Sequence, residues 1–224
     1  MQRSMSEWQS LFVAMVQARA DDDGAHDINH LHRVWATAQT LLADHPEADP
    51  LVVQAAAYLH DLVNLPKNHP HREQASVQAA ALARAQLAAQ GFDAQRLDAV
   101  VHAIEAHSYS ANIAPRTIEA MIVQDADRMD ALGAVGLARL FYIAGRMGSA
   151  LAHPTDPLAR HRALDDRHYA LDHIEVKLAG LPDTMCTQAA RSLGRQRLQW
   201  LREYRDTFVQ QWHGQSGTPL GPDQ

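Results

Sequence analysis

Leu51-Val52-Val53-Gln54-Ala55-Ala56-Ala57-Tyr58-Leu59-His60-Asp61 is the stretch on which the reading of this chain turns. It reads as an apolar helix, opened by Pro50 at its first position and carrying His60 and Asp61 near its end. A carboxylate at the end of so apolar a segment costs several kcal/mol to bury without a partner, and a divalent cation is the strongest partner available. Two further segments point the same way. His30 lies about one helix upstream in His30-Leu31-His32-Arg33-Val34, and an acidic knot, Asp125-Ala126-Asp127-Arg128-Met129-Asp130, lies downstream. Together they suggest a metal site assembled from three helices.

Helical periodicity extends over nearly the whole chain. Alanine is abundant, and no alternating β-branched run is long enough for a sheet, so the expected fold is all-α. Helices are expected from the capping box Ser4/Glu7 to about Asp21, over Asp27 to Ala43, and from Pro50 through His60 and Asp61 to before Pro66. Further helices are expected over Arg72 to Gln90, Asp93 to Ser108, Pro115 to Leu132, Ala134 to Gly148, Asp165 to Ala179 and Thr184 to Trp212. Ser149 to Asp166, with Pro154 and Pro157, reads as a surface excursion. One helical domain over residues 1–213 and a frayed tail over 214–224 complete the expected organisation.

Composition narrows the function. With 46% apolar residues among 224, the chain can bury a substantial core. A net charge of −6 with scattered Lys and Arg gives no basic face, so no nucleic-acid partner is expected. Cys186 is the sole cysteine, which excludes an internal disulfide and a thiolate-rich zinc site. No apolar run approaches a membrane span, and no signal-peptide core is evident near Arg3 to Gln9, so a cytoplasmic location is expected.

In order and spacing, these segments resemble the HD superfamily of metal-dependent phosphohydrolases. The resemblance runs from about His26 to Gly136 and rests on His-x-x-Arg-Val at His30, Arg33 and Val34, the His60-Asp61 doublet, and the Asp125 to Gly133 segment. The loop Asn64-Leu65-Pro66-Lys67-Asn68-His69-Pro70 and the segment Glu105-Ala106-His107-Ser108 look more narrowly like the small bacterial YedJ/YpgQ-type group. The resemblance implies an HD-type helical fold and His30, His60, Asp61 and Asp127 as metal ligands. Asp125 lies about 200° from Asp127 on a helical wheel, so the two cannot face one ion, and Asp125 is expected to pair with Arg128 or cap a neighbouring helix.

Imidazole and carboxylate donors suit a borderline ion. One divalent metal is expected, manganese first, with Mg, Ni, Co, Fe or Zn as alternatives. Such an ion lowers the pKa of a bound water and polarises a phosphoryl group. The implied activity is nucleotide pyrophosphohydrolysis, converting a nucleoside triphosphate to the monophosphate and pyrophosphate. The alternatives are a nucleoside monophosphate phosphomonoesterase and a metal-dependent ligand sensor without turnover.

Related nucleotidases place a catalytic glutamate three residues after the doublet's aspartate, where this chain has Asn64. Asp61 and Glu105 are the expected catalytic residues, with Glu105 the nearest replacement as the base that activates the water and metal-bound hydroxide without a separate base the alternative. His102 and Glu105 share a helix face, whereas His107 lies about 140° round from His102, which strains a second metal site there. Lys67, Arg72, His107 and Arg128 are the expected contacts to the substrate's phosphates. Trp200, Tyr204 and Phe208, at helical spacing, are expected to pack in the core.

Overall fold

The computed structural model describes residues 3–19, 28–63, 65, 70–212 and 214, and among them there are helices and no strand. Nine α-helices follow in chain order: α1 Met5–Gln17, α2 Ile28–Leu42, α3 Pro50–Leu59, α4 Ala75–Ala89, α5 Ala94–His107, α6 Ile118–Met129, α7 Gly133–Arg146, α8 His173–Val176 and α9 Gln188–Trp212. The tail expected over 214–224 lies, Gly214 apart, outside the described residues.

Internal contacts fall into two compact units. The first comprises the described residues up to Asp130 with Met185–Arg191; the second comprises Ala131–Thr184 with those from Ser192 onward. In the first unit α3 is the central helix, with Val52 to Leu59 all buried, and α1, α2, α5 and α6 pack against it. The absence of a polar stripe on α3 is thus a consequence of being covered on all sides. Its start is fixed twice over, by Pro50 at the first position and by the Asp49 carboxylate accepting from the Leu51 amide at 3.0 Å. Arg96 of α5 donates to the same carboxylate at 2.6 Å, tying the cap to a second helix.

Side-chain caps place most of the other boundaries. Ser4 and Glu7 form the expected capping box on α1. Gly91, with φ +72°, turns the chain after α4 in a conformation that costs other residues strain. Thr187 caps α9 through its hydroxyl, which accepts from the Ala190 amide at 3.2 Å.

Two expected helices differ. α3 stops at Leu59, with His60 as its C-cap, so Asp61 lies just beyond the helix rather than within it. The Leu62 amide turns back to the Leu59 carbonyl at 3.3 Å and closes the turn. The helix expected over Asp165 to Ala179 is instead a 3₁₀ turn at Ala170–Asp172, the four-residue α8, and a 3₁₀ segment at Leu178–Thr184. Competing hydrogen bonds explain the break. The Ala150 amide donates to the His168 carbonyl and the Ala170 amide to the Ala150 carbonyl, each at 2.9 Å, while the Asp165 amide donates to Asp172 at 2.7 Å. Backbone groups engaged with residue 150 are not free to close helical turns. In the second unit Tyr204 and Phe208 pack on Phe141, with ring centroids 6.3 Å apart in each case, as their spacing suggested. Trp200 stays 42% exposed.

Candidate metal centre

The ends of four helices bring the candidate ligands together. His30 projects from the first turn of α2, His60 caps α3 with Asp61 following it, Asp127 lies in the last turn of α6, and His107 ends α5. His30 Nε2 lies 3.4 Å from Asp127 Oδ1 and 3.7 Å from Asp61 Oδ2. His60 Nε2 lies 3.5 Å from Asp61 Oδ2 and 3.8 Å from Asp127 Oδ1. The four residues expected to be metal ligands therefore lie close together, with Asp61 and Asp127 each within 3.8 Å of both imidazoles.

The tautomers prepare the imidazoles as ligands. His60 Nδ1–H donates to the Ala57 carbonyl at 3.0 Å, which leaves Nε2 as the acceptor. That nitrogen is buried, has no hydrogen-bond partner among the described residues, and lies near carboxylate oxygens and other imidazoles. Acceptor facing acceptor is unfavourable for protein atoms alone, and a divalent cation reconciles it. The ligand atoms of His30, His60 and Asp127 lie within 4.8 Å of one another, so the donor set fits such an ion by chemistry and by spacing.

Ionisation follows the same geometry. Burial drives the His60 pKa down to about 4, against the partial support of Asp61, so the ring is neutral at physiological pH. His30 is buried too, yet hydrogen bonds to Asp127 and Asp130, with the charges of Asp127 and Asp61, raise it to about 9. Asp127 and Asp61 resist the cost of burial and are held below the usual carboxylate range, Asp127 by its hydrogen bond from His30 and the surrounding imidazoles, Asp61 by His60, His30 and His107.

Asp130 orients the site from behind. Its Oδ2 accepts from His30 Nδ1 at 2.8 Å, and Arg33 closes a fork on it through Nε at 2.7 Å and Nη2 at 3.0 Å. Sequence reasoning gave Asp130 no role, although Arg33 three residues after His30 was the available signal. Asp125 does not approach the cluster. It caps α9, accepting from the Cys186 amide at 2.7 Å and from the Thr187 amide and hydroxyl at 2.7 and 2.9 Å.

His107 stands closer to the centre than its position on α5 suggested. Its Nδ1 contacts the Ile104 carbonyl at 2.6 Å, its Nε2 lies 3.8 Å from Asp61 Oδ1, and its ring meets that of His60 at 4.6 Å. His60, Asp61 and His107 form a second group of metal-ligand spacing that shares His60 with the first. Because α5 remains helical to His107, Glu105 is turned about 200° from it. Glu105 is half-buried on the side of His102 and is not among the converging ligand atoms. His102 itself accepts from the Arg116 amide at 2.9 Å.

A small cleft opens beside Asp61 and His107, lined also by Arg72, Ser76, Ser108 and Ser110. Arg72, whose guanidinium donates to the Leu65 carbonyl, is thus placed beside Asp61 and His107. Arg128 follows Asp127 and lies over the Tyr109 ring, 5.8 Å from its centroid. Lys67 and Asn64 lie outside the described residues.

Comparison with known proteins gives this arrangement its class. The HD domain family matches residues 27–132, the span that carries every ligand named above. YpgQ of Bacillus subtilis (strain 168), an uncharacterised protein, is 33% identical over 188 residues, which cover 82% of this chain and 83% of that protein. The chain belongs to the HD superfamily of metal-dependent phosphohydrolases. The particular proteins it resembles in structure include an HD-superfamily hydrolase of Bacillus thuringiensis, with TM-score 0.73, 27% identity, and coverage of 95% of this chain and 100% of that one. They also include B. subtilis YpgQ in complex with ADP, with TM-score 0.68, 28% identity, and coverage of 92% and 94%. None of the described helices is long and apolar enough to cross a membrane.

Proposed function

We propose that this hydrolase is a nucleotide pyrophosphohydrolase, cutting a nucleoside triphosphate between its α and β phosphates to release the monophosphate and pyrophosphate. The observation that carries the reading is the approach of Asp61 and Asp127 to both His30 and His60, beside a cleft lined by Asp61, Arg72, His107 and two serines. The ADP bound to YpgQ supports a nucleotide as the ligand.

In this reading His30, His60, Asp61 and Asp127 hold one divalent ion, manganese in the first instance. When bound, it polarises a phosphoryl oxygen and acidifies a water. His30 gives up its Nε2 proton to become a ligand, and Asp130 with Arg33 keeps the ring aimed. His107 presents Nε2 as an acceptor on the cleft side of Asp61, where it orients the attacking water. Arg72 and Arg128 meet the phosphate charge. We extend that role to Lys67.

Turnover of a nucleotide panel with added Mn²⁺, with phosphate and pyrophosphate detected separately, tests the reading. Pyrophosphate is the expected product; orthophosphate in its place would make the protein a phosphomonoesterase. Charge reversal at Lys67 is expected to raise KM for a triphosphate far more than for a monophosphate.

A further inference from the structure

Beyond α5 the chain turns through Ser108-Tyr109-Ser110. The two serine hydroxyls hydrogen-bond each other at 3.0 Å, and both residues line the cleft that contains Asp61, Arg72 and His107. Between them Tyr109 is held out at 70% exposure, more than any other large hydrophobic side chain described. The Arg128 guanidinium lies over its ring at 5.8 Å from the centroid, and Arg128 is the next residue after Asp127. A ring this exposed contributes little to the core. Flanked by Ser108 and Ser110, which both line the cleft, it instead offers a flat apolar face backed by a cation, one residue from groups that line the site.

We propose that Tyr109 is the stacking platform for the base of the nucleotide whose phosphates lie in the cleft against Arg72. This rests on the nucleotide reading above and adds the part of the substrate that the metal centre does not sense. Every base has a π-face, so a tyrosine platform accepts purines and pyrimidines alike, with purines favoured by overlap area. A polyphosphate without a base gains nothing from it. The serine bracket keeps the ring from collapsing into the cleft, and the Arg128 contact sets its orientation while leaving the guanidinium charge near the phosphates.

The test is calorimetric titration of the full chain with Mn²⁺ present, using dATP, dCTP and inorganic tripolyphosphate as probes, for the unaltered protein, Tyr109→Ala and Tyr109→Phe. Tyr109→Ala is expected to bind both nucleotides roughly ten- to a hundred-fold more weakly and tripolyphosphate unchanged, while Tyr109→Phe stays within about twofold of the unaltered protein. Equal losses for all three probes, or no loss for any, would overturn the proposal. The reaction is judged separately. If the unaltered protein binds nucleotides without releasing pyrophosphate, and Tyr109→Ala still loses them selectively, the platform stands and the pyrophosphohydrolase reading falls. If the unaltered protein binds tripolyphosphate but neither nucleotide, both fall.

Discussion

Two groups of poorly exposed carboxylates in this molecule are built in opposite ways. In the second unit Asp172, 2% exposed, is closed by its own protein. Arg162 grips it through both terminal nitrogens at 2.6 and 2.8 Å, and the Asp165 amide donates at 2.7 Å. In the first unit Asp61 and Asp127 meet imidazole nitrogens only at 3.4 to 3.8 Å, with one of those nitrogens an unpartnered acceptor. A buried carboxylate answered by well-aligned donors is a structural knot. Carboxylates that converge on imidazole nitrogens, one of them an acceptor left unpartnered among the described residues, are arranged for a cation. Asp61 and Asp127 are also more open, at 21% and 28% exposure, and the complement of donors is what tells the two arrangements apart.

The sharpest way to break this comparison is to remove one carboxylate from each group. Asp61→Ala is expected to abolish stoichiometric metal binding and to lower turnover by at least about a thousand-fold, since changes to mere supporting partners already cost 10- to 100-fold. Metal analysis of the purified variant checks this, and retained metal with normal turnover would show the cluster to be a knot like the other. Asp172→Ala should act on stability instead, costing about 1–3 kcal/mol in a denaturant titration by taking the carboxylate acceptor from Arg162 and the Asp165 amide, with metal affinity of the folded protein unchanged.

Asp130 stands between the two cases, because it is closed by Arg33 yet touches a ligand. Asp130→Asn keeps the shape and loses the charge, so metal affinity should fall about 10- to 100-fold. An effect on stability alone would make the residue structural.

The two imidazoles give the comparison a pH dependence. His30, raised to about 9, contributes to the stability of the metal-free protein fully below about 6.5, and that contribution is lost as pH rises through 9. His60, lowered to about 4, contributes fully above about 6.5 and loses its contribution as pH falls toward 4. Their joint contribution therefore peaks near pH 6.5. Metal binding must displace the His30 proton, so affinity should rise about tenfold per pH unit up to pH 9 and one proton should be released per ion. Calorimetry in buffers of different ionisation enthalpy counts it; release of none would contradict the ligand role.

The smallest effect is expected at Glu105. Placed round α5 from His107, its change to glutamine should alter kcat by less than about threefold. A fall of about 10²- to 10⁴-fold would instead make it the base that Asn64 does not supply.

Much of this was legible beforehand because it is local. Periodicity gave the all-α fold, Ser4, Pro50 and Gly91 gave boundaries close to those observed, and the doublet at the end of an apolar run pointed to a cation. The 200° separation of Asp125 from Asp127 already kept them off one face, and the structure accounts for Asp125 through the helix it caps. The helix expected at Asp165 to Ala179 misled because its propensity was outweighed by backbone bonds to residue 150. Likewise nothing within α5 could tell whether His107 or Glu105 faces the centre, since helical spacing fixes only their difference in angle. The sequence by itself determined which residue types were available and which could share a face. Tertiary packing decided the rest: the rotation of α5 about its axis, the span of 97 residues by which Arg33 reaches Asp130, and the meeting of four helix ends at one point. These depend on how separate helices bury against α3, and no local pattern encodes that.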